Sequence, residues 1–185
     1  MKHIIIISAS VRIGARSPIV AQYFKKFIES RNLATTEIVD LNVYQFPVFN
    51  ERLKYQENPS EKVLEFAAKV KSADGIIIVT PEYNGGYPAS LKNVIDLLYA
   101  EWRRKPIAIT TVSDGVFGGT QVITSLLFTL WKIGAWMVPR MFPVPSVERT
   151  FHHDANPTDE ATDKRATEFV NELLWCMEAT GRMSQ

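Results

Sequence analysis

Gly75-Ile-Ile-Ile-Val-Thr80-Pro-Glu-Tyr-Asn84-Gly-Gly-Tyr-Pro88-Ala-Ser-Leu-Lys-Asn93 compresses a strand, a loop and the start of a helix into one short stretch. Gly75 to Thr80 is apolar on both faces, as expected of a parallel strand covered by helices on each side. Pro88 suits the first turn of a helix. Beyond it, Leu91, Val94, Ile95 and Leu98 form an apolar stripe at helical spacing. The loop between them carries an aromatic ring, a carboxylate, an amide and two glycines, where open α/β sheets bind ligands. Its glycines permit positive φ and close approach of the backbone to a planar polar ligand.

The same alternation runs through the chain. Strands are expected at about 3–8, 35–41, 75–80, 106–112 and 135–139, with helices at about 17–31, 59–72, 88–100, 119–133 and 158–179. Ser17 offers a cap to the first helix with Pro18 behind it, and Asn58-Pro59-Ser60-Glu61 offers a cap, a first-turn proline and a capping-box carboxylate to the second. Gly134 suits a left-handed C-cap for the fourth. Segments 42–58 and 140–157 read as irregular. Neither resembles a linker, so residues 1–185 are expected to form one domain. Strand–helix alternation implies a parallel sheet with helices on both faces, and five strands favour a flavodoxin-like three-layer sandwich of order 2-1-3-4-5 over a Rossmann-like one.

The hydrophobic content of 46% with 22% charged residues is that of a globular chain. A formal charge of +1 gives no basic footprint for nucleic acid and favours small-molecule work. The run Ile4 to Ile7 is too short for a secretory core, and no segment reaches the roughly 20 apolar residues a membrane span needs. With Cys176 as its one cysteine the chain cannot form an internal disulfide, and a cytoplasmic, reducing location is expected.

Two further loops belong at the same sheet edge. Ser8-Ala-Ser-Val-Arg-Ile-Gly-Ala-Arg-Ser17 places hydroxyls and two guanidinium groups before a helix N-terminus, which suits a phosphate. Plain capping by Ser17 with solvated arginines fits the same residues. The loop lacks the dinucleotide fingerprint and the Walker lysine, so a monophosphate is the better match. Val112-Ser-Asp-Gly-Val-Phe-Gly-Gly-Thr120 is a tightly turning segment able to approach a ligand edge, or an ordinary turn.

Taken together, Ser10-x-Arg12 with Arg16-Ser17, Pro81-Glu-Tyr-Asn84 with Leu91-Lys-Asn93, and Ser113 with Gly118-Gly119 resemble the signature segments of the NAD(P)H-dependent FMN reductase family. That family includes flavin, quinone, azo-dye and chromate reductases. The resemblance implies FMN bound in a flavodoxin-like fold, with Ser10, Arg12 and Ser17 holding its phosphate and Arg16 assisting. It places Pro81, Glu82, Tyr83, Asn84 and Gly85 along the isoalloxazine, with Ser113, Gly115, Gly118 and Gly119 at the other edge. It also implies ping-pong hydride transfer from NADPH or NADH to FMN N5 and on to a small-molecule acceptor, in a homodimer or homotetramer. Two positions depart from the pattern. Ala9 stands where a glycine is common, which a negative φ would tolerate. Gly86 stands where a serine is common, which removes a hydroxyl and leaves that wall more mobile.

Other features take plainer readings. Glu82 is expected to make a salt bridge or helix-end contact rather than act as a base. His152-His153 read as structural or solvated, with no metal implied. Trp102, Trp131, Trp136 and Trp175 are expected in the core or in subunit contacts. The helix bearing Phe128 and Trp131 carries more apolar surface than one sheet face can bury and is the expected dimer surface. A flavodoxin-like electron carrier and a non-enzymatic FMN-binding sensor are the competing functions. The absence of a strongly acidic surface argues against the first, and that of a DNA-reading element or extra domain against the second.

Overall fold

A computed structural model describes residues 1–183. In chain order it comprises β1 (His3–Ser8), α1 (Ser17–Ser30), β2 (Thr35–Asp40), α2 (Leu41–Tyr44), α3 (Glu61–Ser72), β3 (Gly75–Pro81), α4 (Ala89–Leu97), β4 (Pro106–Val112), α5 (Gln121–Lys132), β5 (Trp136–Val144), α6 (Val147–Thr150) and α7 (Glu160–Met183). All pairings are parallel and the strand order is β2-β1-β3-β4-β5, the flavodoxin-like arrangement expected.

The period-two rule divides the core. Ile4, Ile6, Ile77 and Val79 pack with the apolar stripes of α1 and α7, including Phe24 and Phe169. Ile5, Ile7, Ile76 and Ile78 pack on the other face against α3, α4 and α5, including Phe66 and Leu126. The central strands therefore present no solvated face, and their carboxyl ends are where polar chemistry can surface.

Several local expectations need correction. β5 runs on through Pro143 to Val144, past the expected end at 139 and into the segment read as irregular. Its edge position explains this, because proline is tolerated where a strand has only one neighbour. The register with β4 also shifts between Ile107 and Ile109, as at a bulge. The rest of 140–157 includes α6, and 42–58 includes α2 and a 3₁₀ turn at Leu53–Tyr55. The helix at 88–100 ends at Leu97, with a separate 3₁₀ turn at Ala100–Trp102. Ser60, not Asn58, caps α3 by accepting the Val63 N–H. Arg16, not Ser17, is the N-cap residue of α1, and no side chain caps that helix. Gly134 does end α5 with φ +82°, its N–H bonded to Trp131 O and the Ala135 N–H to Leu130 O, the Schellman pattern.

Candidate active site

The loops after β1, β3 and β4 meet at the carboxyl edge, and direct contacts tie them. Ser10 Oγ and Tyr83 Oη are 2.6 Å apart, joining the first loop to the second. Glu82 Oε2 accepts the Gln121 N–H at 3.1 Å, fastening the second loop to the start of α5. This is the helix-end role expected of Glu82, and it occupies the carboxylate. A Cβ placed on Gly119 would stand 3.3 Å from Glu82 Cβ, so the third loop lies directly against the second.

The second loop is more ordered than its composition suggested. Tyr83 and Gly86 exchange both backbone hydrogen bonds, at 2.8 and 3.0 Å. Asn84 and Gly85 between them have φ +52° and +78°. This is a two-residue hairpin with positive φ at both centres, for which Asn-Gly is the strongest sequence signal. Gly86 thus has its backbone pinned at both ends, and a Cβ there would find only ordinary contact, 3.7 Å from Tyr83 O.

The third loop is also closed on itself. Ser113 Oγ accepts the Gly115 N–H, Gly115 O accepts from Gly118 and Ser146, and the buried Thr111 hydroxyl donates to Gly118 O at 2.6 Å. Gly118 and Gly119 have φ +63° and +72°, so glycine is needed there. At the tip, Val116 and Phe117 are exposed.

The first loop is different. Ser17 Oγ is buried and has no hydrogen-bond partner among the described residues, at the start of a helix whose first turn holds no acidic residue. Ser8 Oγ is likewise buried and unpartnered. The Arg12 guanidinium makes no hydrogen bond or ion pair among the described residues. Buried hydroxyls are rarely left unsatisfied, and two at the ends of a loop that carries a free guanidinium and runs into a positive helix end suit an anionic phosphate. Arg16 is committed elsewhere, to an ion pair with the α6 residue Glu148. Ala9 is buried outside the positive-φ set, its N–H bonded to Val79 O and its carbonyl accepting from Ser90 Oγ, so a residue with a Cβ is accommodated.

The sequence profile of the NADPH-dependent FMN reductase family matches residues 2–149. The chain belongs to that family. It is accordingly an FMN-dependent, NAD(P)H-using oxidoreductase. Among relatives of this FMN reductase, an NAD(P)H-dependent FMN reductase of Schizosaccharomyces pombe is 35% identical over 98% of this chain and 88% of its own. A quinone reductase of Escherichia coli is 32% identical over 64% and 63%. The solved structure of FerB, a flavoenzyme NAD(P)H:(acceptor) oxidoreductase from Paracoccus denitrificans, superposes with a TM-score of 0.79 at 26% identity, covering 97% of this chain and 98% of that one.

Of the expected site residues, Ser10, Arg12, Ser17 and the 81–85 and 113–119 segments share this edge, whereas the Arg16 side chain is held by Glu148. Ser8 and Gln121 were not singled out. Ser8 shares the parity of Ile4 and Ile6, which would have turned it toward α1. Gln121 gave no signal beyond being a polar residue at a helix start. Asn93 is a staple: its amide accepts from Phe49 N at 2.5 Å and donates to Pro47 O at 2.8 Å, fixing the 46–49 wall. His152 and His153 are exposed and line a small hollow beside Arg16 and Glu148.

Proposed function

We propose that the protein binds FMN with its phosphate at the mouth of α1 and reduces a small acceptor at the expense of NAD(P)H. The acceptor is a quinone, a flavin, an azo compound or a metal oxyanion. The observation that carries this reading is the buried Ser17 hydroxyl, without a partner among the described residues, at an acid-free helix start that follows the loop bearing Arg12. Ser17 donates to a phosphate oxygen, Arg12 supplies the opposing charge, and Ser10 links that end to Tyr83. The 81–85 hairpin and the Ser113, Gly115, Gly118 and Gly119 backbone border the two sides of the planar ring. When bound, FMN supplies the chemistry, taking hydride from NAD(P)H and delivering electrons to the acceptor in separate half-reactions. Protein groups hold the reactants in place and keep one face open, so no side-chain acid or base is assigned.

Phe128 and Trp131 leave α5 with relative exposures of 64% each and ring centroids 5.9 Å apart. They support a homodimer through this face, or a homotetramer containing that dimer, which sedimentation will size. The location proposed is cytoplasmic, in keeping with a single buried thiol.

The deciding experiment is an absorbance spectrum of purified protein before and after anaerobic NADPH and NADH. Yellow flavin bands that either donor bleaches, followed by quinone turnover, are expected. A protein that stays colourless after incubation with FMN overturns the reading; a yellow protein that neither donor bleaches is a carrier or sensor instead.

A further inference from the structure

Arg16 stands at the mouth of α1 as its N-cap residue, next to the buried Ser17 hydroxyl that has no partner among the described residues, yet its guanidinium pairs with Glu148 of α6. The pair borders a hollow of about 260 Å³ lined also by Ile19, Phe151, His152 and His153. Both partners are open to water, with side-chain exposures of 35% and 61%. An ion pair in that setting adds little to folding, and salt weakens it further. Nor does α6 need it. The Val147 N–H donates to Ser113 O at 3.1 Å and the Ser146 N–H to Gly115 O at 3.2 Å, so backbone bonds to the loop after β4 hold the short helix in place. Glu148 therefore offers a carboxylate on a fixed support to an arginine that is free to leave it.

From this arrangement we infer that Glu148 is a positioning residue for the phosphate site, holding Arg16 in reserve and yielding it when the phosphate of FMN enters the mouth of α1. A phosphate monoester carries roughly 1.5 to 2 negative charges near pH 7, against one on the carboxylate, and presents three acceptor oxygens. The free N–H groups of the first turn of α1 hold that phosphate beside the residue that bears the guanidinium. The higher charge at the helix mouth wins the arginine fork. The carboxylate left behind stays in water, so its release carries no burial cost. FMN affinity is then the difference between two partners of one guanidinium, and Glu148 lowers it from outside the site. The inference rests on the proposed function for its ligand; the competition for Arg16 is a property of any phosphate at that helix mouth.

The test is a double-mutant cycle on FMN affinity, read from the fluorescence of free flavin as apoprotein is added. Glu148→Gln should tighten FMN binding about fivefold, the upper value of an exposed ion pair recovered, and Arg16→Ala should weaken it by about as much. In the Arg16→Ala background, Glu148→Gln should change affinity by less than about twofold. A pair that only braces the fold would give the opposite sign, with urea midpoint and FMN affinity falling together in Glu148→Gln. An unchanged or weakened affinity in Glu148→Gln, or the same gain without Arg16, overturns the inference. A second readout needs no flavin: inorganic phosphate should move the Arg16 Nε–H resonance of the apoprotein, and at lower concentration in Glu148→Gln. Protein that takes up no FMN but shows this shift breaks the functional reading and leaves the exchange standing; without the shift, both fall. Yellow protein whose FMN affinity is untouched by Glu148→Gln breaks the exchange alone.

Discussion

The loop after β1 and the hairpin after β3 lie side by side, yet they spend their polar groups in opposite ways. The hairpin closes on itself: Tyr83 and Gly86 exchange backbone bonds and Glu82 takes the α5 amide. The loop after β4 follows the same plan through Ser113 and Thr111. In the β1 loop, among the described residues, Ser8 and Ser17 bury hydroxyls with no partner and the Arg12 guanidinium has none. A self-satisfied loop keeps its shape without ligand, whereas an unsatisfied one carries a cost that ligand removes. The closed loops therefore belong to the stability of the fold, and the open one to affinity.

The strongest way to break this division is Gly118→Ala. A Cβ there would approach Pro143 Cβ to 3.0 Å and Pro145 N to 3.1 Å, on a backbone with φ +63°. Left-handed strain and overpacking together should cost about 3 kcal/mol of stability, read from the urea midpoint with and without FMN. A loss under about 1 kcal/mol would mean that the closed loop is not rigid.

The converse change is Arg12→Ala. An exposed arginine without a partner should matter little to folding, within about 0.5 kcal/mol. Its loss should weaken FMN binding by about 2 kcal/mol, roughly thirtyfold, the value of a charge-assisted hydrogen bond. Unchanged affinity by fluorescence titration would remove Arg12 from the phosphate site. Ser17→Ala sharpens the same point. The apoprotein should be no less stable, because the hydroxyl lost is buried and unpaired. FMN affinity should fall by about 1.4 kcal/mol, roughly tenfold. A serine of purely structural role would give the reverse pattern.

Much of this was legible in the sequence, for reasons that differ by element. Ile4 to Ile7 and Ile76 to Val79 are apolar without interruption, as a doubly covered parallel strand is, so the layers followed, and the strand order came from the count of five strands. β5 was cut short because prolines ordinarily end a strand, and its place at the sheet edge is a property of the whole fold. Asn84-Gly85 did announce a hairpin, but its flanks lack the alternating pattern that normally accompanies one. The types of the phosphate-loop residues were readable, but their allegiance was not. Arg16 and Arg12 look equivalent in the chain, and only α6, more than a hundred residues later, supplies the carboxylate that separates them. Likewise the wall at 46–49 depends on Asn93, a contact across 44 residues.

A pH profile asks whether the open loop stands on a fixed base. Tyr23, on α1 and 3% exposed, donates its phenol to Asp163 of α7 at 2.8 Å, and Arg31 pairs with the same carboxylate at 3.0 Å. Burial first, and the Asp163 hydrogen bond second, push the Tyr23 phenol well above its ordinary value of 10.0. Below that value both folded and unfolded chains hold the proton, so the contact's contribution is fully present. As pH rises past it, the unfolded chain releases the proton and the folded chain keeps it, so stability falls. Between pH 9 and 11 this group should remove about 1.4 kcal/mol, because over that span the unfolded phenol goes from about one-tenth to about nine-tenths ionised while the folded one keeps its proton. Tyr23→Phe should flatten that part of the urea-midpoint profile relative to the parent while leaving FMN affinity at pH 7.5 unchanged. If FMN affinity instead falls with the phenol, α1 is not held by the core alone, and the openness of its loop reaches down into the helix.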